Sequence, residues 1–306
     1  MWKTHTVRVR CDLHVHSYYS GACTSPVLNL FCRESYSQPN EVYERLQKRG
    51  MGLVTLTDHD SIEGAEILRH YSDFFTSVEL TCTMPSGTQA HVGVYDISER
   101  QHIELQRRRE DLPALLAYLS EKKLFFSINH VFSGLTGARE RADFRWFREY
   151  FPAMEVLNGH MLEEQNASAS RLADIWSKAQ IGGSDSHAMP SVGSAYTEVA
   201  GARNKEEFFA GLRAGRGVAR GGSGSFAKLT KDVYVIIGEL IREKKWLALA
   251  SPIAVLAPAF TYWNYRDEAS FLKRWSAEML GTVEINSGRG WKGRSRQSMP
   301  AVEEAM

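Results

Sequence analysis

The stretch CDLHVHSYYSGACTS (residues 11–25) places two histidines, His14 and His16, one residue apart and directly after an acid, Asp12. The residues just before it, HTVRVR, are typical of the start of a strand. Alternate side chains of a strand point to the same face, so both imidazoles could reach one metal ion. This pair is the first of several similar motifs along the chain.

The composition limits the class of protein. The chain has 306 residues, of which 43% are hydrophobic, and a formal net charge of +1. This is enough for one large domain, or for one domain with an appendage. Such a charge balance gives no strong signal for nucleic-acid binding. The four cysteines form no CxxC pair and the N-terminus shows no signal peptide, so we expect reduced thiols and a cytoplasmic protein.

Short apolar runs alternate with longer segments of helical periodicity. Strands are predicted for VRVRCDLH, LVTLTD, TSVELTC, HVGVYDI, LFFSINH, AMEVLNGH and AQIGGSDSH. The segment PNEVYERLQKRG predicts a helix that Asn40 caps and Gly50 ends. Alternation of this kind predicts an α/β fold with a mostly parallel sheet.

The sequence GGSG at residues 221–224 predicts a linker or a turn, and the chain changes character beyond it. In order, we expect a domain over residues 1–220, a linker over 221–225, a helical extension over 226–282 and a disordered tail over 283–306.

One segment of the extension, WLALASPIAVLAPAFTYW (residues 246–263), carries no charge. Its length is at the lower limit for a membrane span, but Pro252 and Pro258 would break a continuous helix. We therefore expect a buried or surface-associated helical hairpin, through which the protein could contact a membrane or another copy of itself.

Histidines and acids recur where the apolar runs end. After His14 and His16 come Asp58, His59, Asp60, Glu79, His91, His130, Glu155, Asp185 and His187. The C-terminal ends of strands in a parallel barrel converge on one face, so these side chains could form one pocket. Neutral imidazole and carboxylate suit Zn²⁺, Mn²⁺ or Fe²⁺. A single HxH pair is a weak signal, but the joint placement favours a metal centre.

The motifs resemble those of a known family. In family order, DLHVHS, TDHDS, a glutamate ahead of HVGVY, NH, EVLNG and GSDSHA resemble the motifs of the PHP (polymerase and histidinol phosphatase) metallophosphoesterases, over roughly residues 8–200. The resemblance implies a distorted (β/α)7 TIM-like barrel of the PHP type, with the metal site at its C-terminal face and the helical extension after it.

The resemblance also implies a role for each motif residue. A first metal would be bound by His14, His16 and Asp185, with Glu79 bridging to a second metal that His91 and His130 complete. His59 and His187 would hold a third metal, or contact substrate phosphate and transfer protons. Four further acids are expected to hydrogen-bond to the metal ligands and orient them without binding the metal: Asp12, Asp58, Asp60 and Glu155.

The chain departs from the family pattern after the first histidines. Where a further acid or histidine is common, it has Gly21 and Ala22. The third metal position therefore lacks a ligand that the sequence can identify. We expect two divalent ions, with a third held only weakly.

The predicted function is that of a metal-dependent phosphoesterase, in which a metal-activated hydroxide attacks the phosphomonoester or phosphodiester of a small phosphorylated metabolite or nucleotide. Arg139 and Arg141, in the loop after His130, could bind the phosphate, although a capping or surface role is equally open.

Two alternative functions remain. One is an amidohydrolase-type metal hydrolase, a class that often needs a bridging lysine that the middle strands here do not offer. The other is an inactive PHP-fold binding protein.

Overall fold

The structure is a computed structural model that describes residues 7–21 and 32–287. The part of the predicted tail beyond residue 287 lies outside the described residues, as do Ala22 and Cys23. All statements below concern the described ranges.

Three strands form one antiparallel sheet. They are β1 (Arg8–Cys11), β7 (Ala195–Ala200) and β8 (Gly217–Gly221), with β7 in the middle. Burial alternates along β1, where Val9 and Cys11 point into the core. This alternation is the pattern of a strand with one buried face.

Five strands form a second sheet in chain order. They are β2 (Ser77–Thr83), β3 (Gln89–Tyr95), β4 (Phe125–Ile128), β5 (Ala153–Asn158) and β6 (Ala179–Gly183). The first two pairings are antiparallel and the last two are parallel. Isolated parallel bridges add to these pairings: Val15 pairs with Ser186 outside the strands, and His59 pairs with Glu79 of β2.

The α/β class is confirmed, but the strand pairings of the described residues are not mostly parallel as the sequence predicts. The described strands form two sheets and no closed barrel. One cause is the hairpin between β2 and β3, where Gly87 has φ +82° and its amide donates to the Met84 carbonyl. A turn this short can only join antiparallel strands. A second cause is LVTLTD, which makes an isolated bridge at Val54 instead of a strand, followed by another isolated bridge at His59 just after it.

Seven helices precede the extension in the described residues. They are α1 (Pro39–Lys48), α2 (Glu63–Leu68), α3 (Glu99–Arg108), α4 (Leu112–Glu121), α5 (Arg141–Tyr150), α6 (Glu163–Ile175) and α7 (Lys205–Arg213). Helix α1 begins one residue before the predicted cap, because Pro39 takes the first helical position and Gln38 precedes it. Proline suits that position, where an amide hydrogen would have no partner.

The extension consists of α8 (Phe226–Glu243), a 3-10 segment (Lys245–Leu256) and α9 (Ala257–Ser287). It shares the main hydrophobic core, because Trp275 is 3% exposed and its ring lies 5.1 Å from that of Phe144. Glu268 of α9 also accepts hydrogen bonds from the Gly134 amide at 2.8 Å and from Gln165 Nε2 at 2.6 Å.

The uncharged run at residues 246–263 forms most of the 3-10 segment and the start of α9. Several of its large apolar side chains are exposed, among them Trp246, Leu249, Val255 and Trp263. None of the helices in the described part of the chain combines the length and apolar character that a membrane crossing requires. Contact of this run with a partner stays a prediction.

Candidate metal centre

The centre is built around the segment that follows β1. Val15 is fully buried and pairs with Ser186, so the side chains on either side of it, His14 and His16, turn to the opposite face. Their ring centroids lie 5.0 Å apart. The two-residue period of extended backbone thus brings both imidazoles together, as the sequence predicts.

Glu79 of β2 lies at the middle of the cluster and is fully buried. Its Oε2 atom is 3.0 Å from His14 Nε2 and 3.4 Å from His16 Nε2. Its Oε1 atom is 3.4 Å from His91 Nδ1 and 3.3 Å from His130 Nε2. One carboxylate therefore faces two separate histidine pairs with its two oxygens.

Asp185 completes the group around the first pair. Its Oδ1 atom is 3.4 Å from His14 Nε2 and 3.3 Å from His16 Nε2. Asp185 has φ +49°, and His130 has φ +26°. These left-handed conformations are uncommon for residues with a Cβ atom, and they turn both side chains into the site.

A third group joins His59, His187 and an acid that the sequence analysis missed, Glu34. Glu34 Oε2 lies 3.3 Å from His59 Nε2, and Glu34 Oε1 lies 3.5 Å from His187 Nε2. The ring of His16 stacks on both histidines, at 4.6 Å and 4.3 Å. The acid that is missing at Gly21 and Ala22 is thus supplied from the segment just before α1.

Three of the four predicted supporting acids contact the residues of the cluster or their immediate neighbours. Glu155 Oε1 is 2.8 Å from His14 Nδ1. Asp12 accepts bonds from the backbone amides of His14, Ser184 and Gly193. Asp58 accepts bonds from the amide and hydroxyl of Ser17. Asp60 differs, because it pairs with Arg109 at 2.6 Å and accepts from the Thr81 amide.

Two asparagines support the site and were not predicted. Asn129 Nδ2 donates to Glu79 Oε1 at 2.8 Å, and Asn158 Nδ2 donates to Asp185 Oδ2 at 2.9 Å. Both follow or end a strand, in INH and VLNG. The only sequence signal for them is this position beside a motif histidine or acid.

The electrostatics of the cluster favour a bound cation. Burial alone would lower the pKa of His14, but the carboxylates of Asp185, Glu79 and Glu155 together raise it well above its usual value. Burial alone would raise the pKa of Glu79, but the surrounding histidines hold it well below its usual value. The pocket therefore stabilises positive charge, which a divalent ion would supply in place of protons.

The unpaired polar atoms also fit metal ions. Among the described residues, buried ring nitrogens of His16, His59, His130 and His187, and one oxygen of Glu34, lack a hydrogen-bond partner. Burying polar atoms without partners is costly, so a group of them in one place needs an explanation. Several sets of three histidine or acid ligand atoms here lie within 4.8 Å of one another. The residues present therefore suit a centre of more than one ion.

The two predicted phosphate-binding arginines have other partners. Arg139 is 4% exposed and donates to the Gln89 carbonyl and to Thr136 Oγ1. Arg141 is exposed and pairs with Glu278 of α9 at 2.5 Å. These contacts favour the structural alternative for both side chains, so we do not carry them forward as phosphate ligands.

A cavity of about 570 Å³ adjoins the centre at His187. It lies between α1 and α8, and it is lined by apolar side chains such as Met189 and Ile236 together with charged ones at its rim. The helical extension thus forms one wall of the space beside the metal cluster.

The fold and the cluster define an α/β protein with a multinuclear candidate metal centre. Residues 163–216 match the family model described as PHP-associated. The resemblance to the PHP family that the motifs indicate is thereby confirmed. The sequence matches none of the curated proteins.

Several solved structures align with this chain. PsfC from Pseudomonas syringae aligns with a TM-score of 0.55 at 15% identity, over 76% of this chain and 98% of that chain. The lesion-specific endonuclease PfuEndoQ from Pyrococcus furiosus aligns with a TM-score of 0.47 at 14% identity, over 68% of this chain and 56% of that chain. An amidohydrolase from Chromobacterium violaceum aligns with a TM-score of 0.44 at 16% identity, over 68% of this chain and 97% of that chain. That structure has bound sulfate and no metal.

Proposed function

We propose that the protein is a metal-dependent hydrolase, and specifically a phosphoesterase that acts on a small phosphorylated metabolite or nucleotide. The observation that carries the proposal is the position of Glu79, whose two oxygens face separate histidine pairs at 3.0–3.4 Å. A bridging carboxylate of this kind suits two ions held close together, which is the arrangement that phosphatases and nucleases use.

The residues would hold the ions in three groups. His14, His16 and Asp185 would bind the first, His91 and His130 the second, Glu79 both, and Glu34, His59 and His187 a third. We propose Zn²⁺, Mn²⁺ or Fe²⁺, because imidazole and carboxylate are suitable ligands for them. When bound, such ions polarise a phosphoryl oxygen and lower the pKa of water.

The chain's own residues orient these ligands. Glu155 accepts from His14 Nδ1 and so fixes the tautomer that leaves Nε2 free. Asn129 holds Oε1 of Glu79 in place. Because Glu34 lies beside His59 and His187, we propose that these two histidines bind the third ion. They would transfer protons only when the third metal position is empty.

The cavity beside His187 supports a small substrate. A volume of about 570 Å³ is in the range of ordinary small-molecule sites. Arg45, Lys48 and Arg242 at its rim could attract an anionic ester, although Glu44 and Glu239 pair with two of them. The bridging position holds Glu79 instead of a lysine, which supports the phosphoesterase proposal over an amidohydrolase-type activity.

A substrate screen tests this function. The protein is loaded with Mn²⁺ or Zn²⁺, its metal content is measured, and release of phosphate or alcohol is followed with phosphomonoesters and phosphodiesters of nucleosides and sugars. Amides and lactones are the comparison substrates. We expect hydrolysis of at least one phosphate ester. Protein that holds two or more ions per chain and hydrolyses only amides or lactones, or no substrate, contradicts the proposal.

Glu34→Gln tests the third metal position. Glutamine keeps the size of the side chain but removes the charge that faces His59 and His187. We expect wild-type protein to hold three ions after loading and the variant to hold two, measured by elemental analysis. Activity should fall by about 10-fold or more, because even residues behind metal ligands contribute 10–100-fold.

The control for this experiment is Glu149→Gln on the exposed surface of α5, where the acid pairs with Arg148 and lies outside the cavity and the metal cluster. It should leave both metal content and activity unchanged. Equal metal content in wild type and the Glu34 variant would show that Glu34 holds no ion.

A further inference from the structure

Helix α8 brings a buried carboxylate of the extension to the edge of the metal centre. Asp232 is 3% exposed. Its Oδ2 atom accepts from Ser191 Oγ at 2.5 Å and lies 3.3 Å from His160 Nε2. Its Oδ1 atom is buried and has no hydrogen-bond partner among the described residues. A carboxylate in this position needs a cationic or donor neighbour to offset its burial.

His160 connects this acid to the site. Its ring stacks on that of His187 with centroids 5.5 Å apart and planes at 20°. One ligand atom of each of His160, Asp185 and His187 lies within 4.8 Å of the others. The backbone amide of His160 donates to Asn158 Oδ1 at 2.8 Å, which fixes the start of this loop.

We propose that His160 is a further metal ligand of the centre and that Asp232 is the residue that positions it. A carboxylate that accepts from one ring nitrogen fixes the tautomer and orientation of the imidazole, and leaves the other nitrogen available to an ion. The extension then completes the metal centre. This inference rests on the proposed function, because it presumes that the cluster binds metal.

Metal affinity tests the proposal without relying on activity. Zn²⁺ affinity of the full chain is measured by competition with a chromophoric chelator, for wild type, Asp232→Asn, Asp232→Ala and His160→Gln. We expect each variant to bind one ion about 10–100-fold more weakly, as is usual for loss of an orienting partner. The Asp232→Asn, His160→Gln double variant should lose no more than either single variant, because both act through one ring. Activity is measured in parallel and should show a fall in kcat.

Glu268→Gln is the matched control. Glu268 is also a buried acid of the extension, but it docks through the Gly134 amide and Gln165. We expect it to lower Tm while metal affinity stays the same. If the Asp232 variants lower only Tm, as this control does, or if the double variant loses the sum of both effects, the inference fails while the proposed function stands. If wild type binds no Zn²⁺, both fail.

A second, independent observation concerns the outer surface of the extension. Most of the largest exposed apolar side chains belong to it, namely Phe226, Tyr234, Trp246, Leu249, Val255, Leu256, Phe260, Tyr262 and Trp263. Leu249 is 93% exposed and Val255 is 75% exposed. Concentrated exposure of this kind marks an interaction surface, because soluble proteins rarely leave such patches uncovered.

We infer that this surface, residues 246–263, docks on an anionic lipid bilayer. Exposed tryptophans, Trp246 and Trp263, end an uncharged run, and the exposed Lys245 comes directly before it, after Arg242, which pairs with Glu239. Aromatic rings favour the headgroup region and basic side chains attract anionic lipids. An apolar surface flanked in this way binds in the plane of the interface.

Vesicle sedimentation tests the inference. Full-length protein is mixed with vesicles of equimolar phosphatidylcholine and phosphatidylglycerol, or of phosphatidylcholine alone. We expect binding to the anionic vesicles that the double variant Leu249→Asp, Val255→Asp weakens at least 10-fold. Leu135→Asp, on an exposed apolar residue outside the extension, is the control and should bind as wild type does. Absence of sedimentation with anionic vesicles overturns the inference. So does dimerisation in solution that the same double variant abolishes, since a second copy would then cover the surface.

Discussion

Glu79→Ala is expected to abolish hydrolysis of phosphate esters, and metal content should fall in the same protein. Glu79 faces five histidines with its two oxygens, so its removal would take a ligand from both proposed ions at once. The loss of activity should exceed the roughly 100-fold that removal of an outer partner can cost. His14→Ala should also abolish activity, because its ring lies between Glu79, Asp185 and Glu155.

The measurement pairs steady-state kinetics with elemental analysis and circular dichroism. Glu66→Gln, a half-buried acid of α2 that pairs with Arg69, is the control and should keep full activity. Wild-type spectra from both site variants would show that the fold persists. Glu79→Ala protein that keeps two ions and turns over substrate at the wild-type rate would refute the bridging role.

Trp275→Ala is expected to have the largest effect on stability. This tryptophan of α9 is 3% exposed and packs on Phe144 in the main core. Truncating a buried tryptophan leaves a cavity and typically costs about 3–5 kcal/mol. The free energy of unfolding, obtained from urea denaturation, should fall by this amount.

Trp263→Ala on the same helix is the matched control, because Trp263 is 68% exposed. Surface substitutions usually change stability by no more than about 0.5 kcal/mol. Equal effects of the two substitutions would mean that α9 is not docked on the core in solution. A larger loss of stability for Trp275→Ala than for Trp263→Ala would instead show that the extension unfolds cooperatively with the core.

The sequence predicts most of the site because its residues lie on short, regular pieces of chain. His14 and His16 are fixed by the period of extended backbone, and Glu79, His91 and His130 lie on or directly after strands. Such positions bring side chains together whatever the details of the sheet. For this reason the grouping of these residues does not depend on whether the sheet closes into a barrel.

Glu34 could not be found in the same way. It lies between an undescribed segment and α1, in CRESYS, where neither a strand nor a helix period applies. Its place beside His59 and His187 depends on how the loop crosses the site, which only the fold determines. His160, the proposed further ligand, directly follows the motif EVLNG, and this position is the sequence signal for it.

The sheet was mispredicted where local turn chemistry outweighs the alternation of strands and helices. The five residues MPSGT between β2 and β3 contain a proline and a glycine, which is a hairpin signal. The Thr-rich run LVTLTD has the composition of a strand, but the hydroxyl of Thr55 forms hydrogen bonds with the Phe75 carbonyl and with Ser77 Oγ. Tertiary context overrides strand propensity there.

The left-handed backbone at His130 and Asp185 sets a limit on how far this protein can be stabilised. Each such conformation costs about 1–3 kcal/mol in a residue other than glycine, and both residues face the centre of the site. Substitutions that relax the backbone, such as Asp185→Gly, would remove a side chain that the chemistry needs. Selection for heat resistance alone would therefore favour changes that remove side chains from the candidate metal centre, and stabilised variants that keep the centre intact should carry their gains elsewhere.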